Sequence, residues 1–394
     1  MPGSVIVAYA RTPIGKMSGA LTRFSAVDLG GFAIAAALER AGLQGDRVDH
    51  VVMGHVLQAG QGQITARQAA VNGGVPMTVP AVTVNKVCLS GINAIQTADA
   101  LIALGHADIV VAGGMESMTN APYVLAKARA GYRMGNDVLI DSMIHDGLWC
   151  AFELEHMGEG TQRYADEHEV SRVAQDELAL KSHERAAAAT EAGRLAGEIV
   201  PVSVPGRKGE QVVVDTDEGV RPGTTLESLA GLRPAFVADG TVTAGNASQL
   251  SDGAAAMVVM SRAAAERLGI RPLAELVEYG MVAGPDVSLL HQPSRAIRRA
   301  LERARLGVGD VDLFEINEAF AAVGVASMRD LGITDEIVNV NGGAIALGHP
   351  IGMSGTRIVG TLIEELHRRG GGLGAAALGG GGGQGDAALV RTLS

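Results

Sequence analysis

Cys88 stands in Val84-Asn85-Lys86-Val87-Cys88-Leu89-Ser90-Gly91, where an apolar, strand-like run meets a stretch rich in Ala, Ile and Leu. That context predicts a thiol at a helix N-terminus, where unpaired backbone N–H groups and the helix dipole favour the thiolate. The only other cysteine is Cys150, so no disulfide framework accounts for Cys88, and a reducing compartment is expected. Cys88 is therefore a candidate covalent nucleophile. Its base is sought in Asn341-Gly342-Gly343-Ala344-Ile345-Ala346-Leu347-Gly348-His349-Pro350-Ile351-Gly352, a glycine-rich loop with one histidine. An imidazole there can deprotonate a thiol and later reprotonate a leaving group. A lone histidine is more often a hydrogen-bonded structural residue, but a glycine-rich setting lets ligand and backbone approach closely.

Two further segments have chemical character. Asn317 opens Asn317-Glu318-Ala319-Phe320-Ala321-Ala322, where a strand gives way to a helix. That end of a parallel sheet is where ligands bind; the plainer alternative for Asn317 is an N-cap. The run Leu378-Gly379-Gly380-Gly381-Gly382-Gly383-Gln384-Gly385 lacks the Lys-Ser/Thr of a phosphate loop and the spacing of a dinucleotide site. It reads better as a tight turn that aims N–H groups at a reacting oxygen.

The elements that must position these residues follow a repeated plan. Residues 37–49 and 300–312 share the pattern ALERA-x-L-x4-VD, a helix, a turn and the approach to a strand. Downstream, Ser90-Gly91 and Ser354-Gly355 each open a helix. Asp108–Gly114 and Gly374–Gly380 are buried strands running into glycine turns. Three matches in order at nearly constant offset indicate duplication. Alternating strands and helices in each half predict an α/β protein with mostly parallel sheets. Residues 120–247 differ in character, with a polar helix over Ser171–Ala196, a short strand at Glu198–Val202 and a charged turn at Gly206-Arg207-Lys208-Gly209. They read as an insertion carrying binding loops. The division is thus 1–119 with 248–270, then 120–247, then 271–394.

The formal net charge of −11 argues against nucleic acid as a partner. No apolar run reaches the ~18 residues of a membrane span, and the N-terminal residues lack a secretory pattern. A cytoplasmic protein is expected.

Taken together, the segments resemble the thiolase family along essentially the whole chain. They include Arg11-Thr12-Pro13-Ile14-Gly15, Asn85–Gly91, Gly113-Gly114-Met115-Glu116-Ser117-Met118, Asn317–Ala321, Gly348-His349-Pro350 and Gly381–Gly385. Met143–Trp149 and His156-Met157-Gly158 look like the biosynthetic, acetyl-CoA acetyltransferase type. The resemblance implies two mixed sheets layered with helices in the order α-β-α-β-α, plus an inserted loop domain. It implies that Cys88, assisted by His349, takes an acyl group from acyl-CoA. A second acetyl-CoA then loses an α-proton and collects the acyl group. Coenzyme A and acetyl-CoA are substrates, with no permanently bound cofactor and no metal. The acyl oxygen would face the N–H groups of Cys88 and Gly381, and the enolate oxygen would face His349 and a water held by Asn317. Leu148, His156, Met157, Arg221, Ala244, Ser248, Ala319 and Phe320 would line the CoA path. The resemblance also implies a homo-oligomer, dimer or tetramer.

One departure stands out. The family carries a cysteine acid/base where this chain has Gly379. The change fits either an engineered block or a native thiolase-like chain with altered chemistry. Condensation should then be strongly impaired while acylation of Cys88 remains open. The segment Ser288–Pro293 also departs from the pattern that shapes the acyl pocket. Competing expectations are a non-condensing acyl-CoA-binding protein or slow thioesterase, and a decarboxylating ketoacyl synthase. Asn317 disfavours the last, because a histidine normally stands there in the synthases.

Overall fold

The computed structural model describes residues 4–206 and 210–393, so Arg207, Lys208 and Gly209 of the charged turn lie outside the described residues. The first half contains β1 (Val5–Arg11), α1 (Ala26–Ala41), β2 (His50–Gly54), α2 (Thr65–Asn72), β3 (Ala81–Val84), α3 (Ser90–Ala103) and β4 (Ile109–Ser117). The insertion follows, with α4 (Met157–Glu167) and α5 (Arg172–Glu191). Then come β5 (Ser251–Met260), β6 (Ala274–Ala283), α6 (Gln292–Ala304), β7 (Leu313–Ile316), α7 (Ala321–Leu331), α8 (Ser354–Arg368), β8 (Leu373–Gly380) and β9 (Gln384–Thr392).

The long strands form one path in the order β7-β8-β9-β6-β1-β5-β4-β2-β3. Its two arms repeat one plan. In the first, β2 pairs parallel with β3 and β4, and β4, β5 and β1 follow antiparallel. In the second, β7 pairs parallel with β8, and β8, β9 and β6 follow antiparallel. The arms meet where Val5 and Ile6 pair with Glu275 and Ala274. The sheet is mixed, as expected, but parallel pairing holds only in its outer strands. The strand that completes each arm returns without an intervening parallel crossover, which alternation of strands and helices alone does not reveal.

The repeat in the sequence is a repeat in space. α1 ends in a left-handed Gly42 and α6 in a left-handed Arg305, each followed by a 3-10 turn and then β2 or β7. The shared Val-Asp does the same task twice: Asp49 accepts the N–H of Ile109 at the start of β4, and Asp312 that of Leu373 at the start of β8.

Three cores separate the layers. One lies under α1 and α2 on the outside of the first arm, and one under α6 on the outside of the second. The largest lies between the arms and takes residues from both. α3 and α8 run through it and cross at Gly91 and Gly355. A Cβ added at Gly91 would come within 2.5 Å of the Thr356 backbone nitrogen, and Thr356 Oγ1 donates to the Gly91 carbonyl. The repeated Ser-Gly pair is therefore the contact point of the central helices.

In the insertion, Ser171 caps α5 by accepting from the Ala174 N–H. The strand expected from Glu198 begins only at Val202 and pairs with Gln211–Val214. Pro201 has no N–H to give, and Glu198 and Val200 instead bond the backbone of Arg11. Among the described residues no helix is long and apolar enough to cross a membrane, and no acidic, histidine or cysteine cluster is suited to a metal.

A Gly91→Ala substitution should lower stability by about 1–3 kcal/mol through overpacking at the crossing. A shift in the urea midpoint measures it; an unchanged midpoint would contradict the close approach.

Candidate active site

β3 delivers the chain to the turn that holds Cys88. Asn85 Oδ1 accepts the Val87 N–H at 3.0 Å, and Val87 takes φ 49°. A positive φ is a strained choice for a β-branched residue. Ser90 secures the turn from the far side: its hydroxyl accepts the Lys86 N–H at 2.8 Å and donates to the Val87 carbonyl at 2.6 Å. The thiol that results is almost completely buried. The backbone N–H groups of Cys88 itself and of Gly381 face it. Gly381 lies in the turn between β8 and β9, so the second donor comes from the other half of the chain.

The expected thiolate is not the resting form. α3 starts at Ser90, and burial pushes the Cys88 thiol up to about 12, with the Glu116 carboxylate adding to the rise. The two N–H groups pull the other way without overcoming the loss of water. The helix N-terminus is thus outweighed by burial.

His349 follows Gly348, whose φ of 111° ends a short helix at Ala344–Leu347. The imidazole is buried, and burial first, then Arg357, holds it down at about 3. Arg357 itself is paired with Glu315 at 3.1 Å. His349 Nδ1 lies 2.5 Å from the Ser354 hydroxyl, which in turn donates to the Pro350 carbonyl at 2.9 Å. That network assigns the proton to Nδ1, leaving the Nε2 lone pair free. Asn317 Nδ2 lies 3.5 Å from Nε2, and Asn317 Oδ1 has no partner among the described residues. Asn317 is not an N-cap; α7 starts at Ala321 with Phe320 in the cap position.

Behind these groups stand two carboxylates. Glu116 accepts the N–H groups of Val56, Leu57 and Gly352, tying the end of β2 to the loop after His349. Glu318 accepts from Ser182, Asn339 and the Ile345 N–H, holding the loop after Asn317 against α5. Sequence reasoning quoted Glu116 and Ser354 but gave them no task. For Ser354 the signal was its place at the start of α8, five residues after His349.

Cys88 and His349 line one cavity of about 380 Å³. Leu148, His156, Met157, Ala244, Ser248, Ala319 and Phe320 line the same cavity. His156 stacks on Phe236 at 4.8 Å between ring centres, and its Nδ1 accepts the Gly158 N–H. Burial lowers its pKa. Ser248 is held by its N–H to the Ala319 carbonyl. Arg221 does not reach this cavity: its side chain is exposed, and its N–H donates to His183. Gly379 also lies outside the cavity lining. A Cβ placed on it would come 2.9 Å from the Leu289 carbonyl oxygen, so the Leu289 backbone crowds the position a side chain would start from.

A buried thiol, a neutral imidazole with a free lone pair and two N–H groups aimed at the sulfur suit acyl transfer through a thioester. Residues 4–263 match the thiolase N-terminal domain, and residues 270–392 match the thiolase C-terminal domain. The chain belongs to the thiolase family. This is a family of acyl-transferring enzymes. A probable acetyl-CoA acetyltransferase of Mycolicibacterium smegmatis is 54% identical over 98% of this chain and 100% of its own length. The acetyl-CoA acetyltransferase of Cupriavidus necator is 51% identical, covering 97% of this chain and 98% of the relative. The crystal structure of the Bacillus anthracis acetyl-CoA acetyltransferase superposes with a TM-score of 0.97 at 41% identity, covering 100% and 99% of the two chains.

A thiol held up at about 12 should be alkylated slowly by iodoacetamide near neutral pH, and the rate at Cys88 should still be climbing at about pH 10. Peptide mapping separates it from Cys150. A rate that levels off below about pH 9 would contradict the burial argument.

Proposed function

We propose that this thiolase is an acyl-CoA C-acyltransferase that takes an acetyl group from acetyl-CoA onto Cys88. The observation that carries the reading is that Cys88 and His349 line one cavity while the Gly381 N–H faces the Cys88 sulfur. Nε2 of His349 removes the thiol proton as sulfur attacks the thioester carbonyl. The carbonyl oxygen takes up charge against the N–H groups of Cys88 and Gly381. The C–S bond to CoA then breaks, and the leaving sulfur regains the proton from Nε2. Pairing the proton transfer with attack avoids a free thiolate, consistent with the high resting pKa of the thiol. Asn317 and His349 are suited to hold a water against an enolate oxygen in the second stage.

The second stage needs a base to take the α-proton of another acetyl-CoA, and Gly379 has no side chain to supply one. General acid–base catalysis contributes about 10²–10⁴-fold, so we expect condensation to acetoacetyl-CoA, and its thiolytic reverse, to be slowed by that order. The same feature favours a second reading, an acyl-CoA-binding protein or slow thioesterase on this fold. Acyl-CoA is the molecule bound in either case. We propose a cytoplasmic homo-oligomer acting on small acyl-CoA molecules, without nucleic acid or membrane as partner. We also retain the division into two core halves and an insertion over 120–247 as a proposal.

Intact-mass spectrometry after mixing with acetyl-CoA should show one acetyl adduct, absent in Cys88→Ala. No adduct would remove Cys88 from this role. Free CoA released without acetoacetyl-CoA selects the thioesterase reading. The sequence alone suggests that Gly379→Cys restores condensation steeply. The Leu289 carbonyl stands in the way, so the single substitution should raise condensation by less than about tenfold unless the 288–290 segment is changed with it. A full recovery from the single change would show that this backbone yields freely.

A further inference from the structure

The two N–H groups that face Cys88 sulfur come from different halves of the chain, and no covalent link near them fixes their separation. The contacts across this seam are mostly apolar. A Cβ on Gly381 would lie 3.2 Å from Val87 Cγ2, and one on Gly380 would meet the Leu89 side chain. Such contacts set a distance but leave the two backbones free to slide.

One contact is directional. Lys86 Nζ lies 2.7 Å from Oδ1 and 2.8 Å from Oδ2 of Asp386. The Asp386 side chain is 1% exposed and that of Lys86 21%. Lys86 is built into the Cys88 turn by its backbone: its N–H donates to Ser90 and its carbonyl accepts the Leu89 N–H. Asp386 pairs with Leu378 across β8 and β9, just beyond the Gly381–Gly383 turn. The ion pair thus ties the Cys88 turn to the strand that leaves the Gly381–Gly383 turn.

The carboxylate is out of place for packing. Asp386 starts the buried run Asp386-Ala387-Ala388-Leu389-Val390. Apolar residues of similar volume in place of a buried ion pair are commonly as stable or more so. A buried pair that packing does not require is best explained by the geometry it specifies. We propose that Lys86 and Asp386 are positioning residues whose ion pair sets the spacing and aim of the Cys88 and Gly381 N–H groups. This rests on the acyl-transfer reading of Cys88.

The test compares two reactions of one thiol. Acetyl loading, followed by rapid quench and intact mass with either acetyl-CoA or p-nitrophenyl acetate, needs both N–H donors. Alkylation by iodoacetamide has no carbonyl oxygen to stabilise and feels the donors only through the resting thiolate. Lys86→Met and Asp386→Asn should slow loading from either donor by about tenfold or more, and slow alkylation clearly less, by about threefold at most. Lys86→Arg should load within about threefold of the parent chain, because a guanidinium also spans both oxygens. If Lys86→Met fails to fold with Asp386 left alone, Lys86→Met/Asp386→Leu removes both charges and should keep the loading defect. Loading at the parent rate in any folded form that lacks the ion pair overturns the proposal. So does a parallel fall in loading and alkylation, which would mean that the thiol itself was displaced. A parent chain that loads from p-nitrophenyl acetate but not from acetyl-CoA refutes the CoA reading and leaves the pair testable. Loading from neither refutes both.

Discussion

The crossing of α3 and α8 at Gly91 and Gly355 is the constraint on which the site depends. Cys88 lies just before α3, and His349 is anchored through Ser354, the first residue of α8. Bringing the two helices into backbone contact therefore brings nucleophile and base to one place. Small residues at the crossing keep the distance short, and the three cores hold the helices between the two arms of the sheet. Each half contributes one N-terminal helix end, and neither half is a site by itself.

Burial sets the resting chemistry of that place. Withdrawal from water raises the thiol and lowers the imidazole, so both groups rest neutral. A neutral pair is less costly to bury than a thiolate–imidazolium pair. In the proposed reaction, charge appears only when a carbonyl oxygen is there to receive it. The carboxylates of Glu116 and Glu318 act at one remove, by pinning the loops through backbone N–H groups.

Much of this was legible in the residues. The repeated ALERA and Ser-Gly patterns gave the duplication, because a helix end and a helix crossing each demand particular small or turn-forming residues. Cys88, His349, and seven of the positions assigned to the CoA path meet in one cavity. Other features were hidden for physical reasons. Strand direction depends on which strand closes each arm, a long-range matter. The pKa of Cys88 depends on how deeply the turn is buried, which a helix-start pattern does not encode. Arg221 matched by position, yet it is exposed and does not line the cavity. The partnership of Lys86 and Asp386 spans the chain, and nothing in either segment names the other as its partner.

The contact between Gly379 and Leu289 bears on how such a protein can change over time. The Leu289 main chain stands 2.9 Å from where a Cβ at position 379 would be, and a main chain cannot retreat as a side-chain tip can. A side chain at position 379 therefore depends on the course of the main chain at 289, while Leu289 and Leu290 are themselves held in place by burial. The two positions are coupled: neither can be altered without regard to the other.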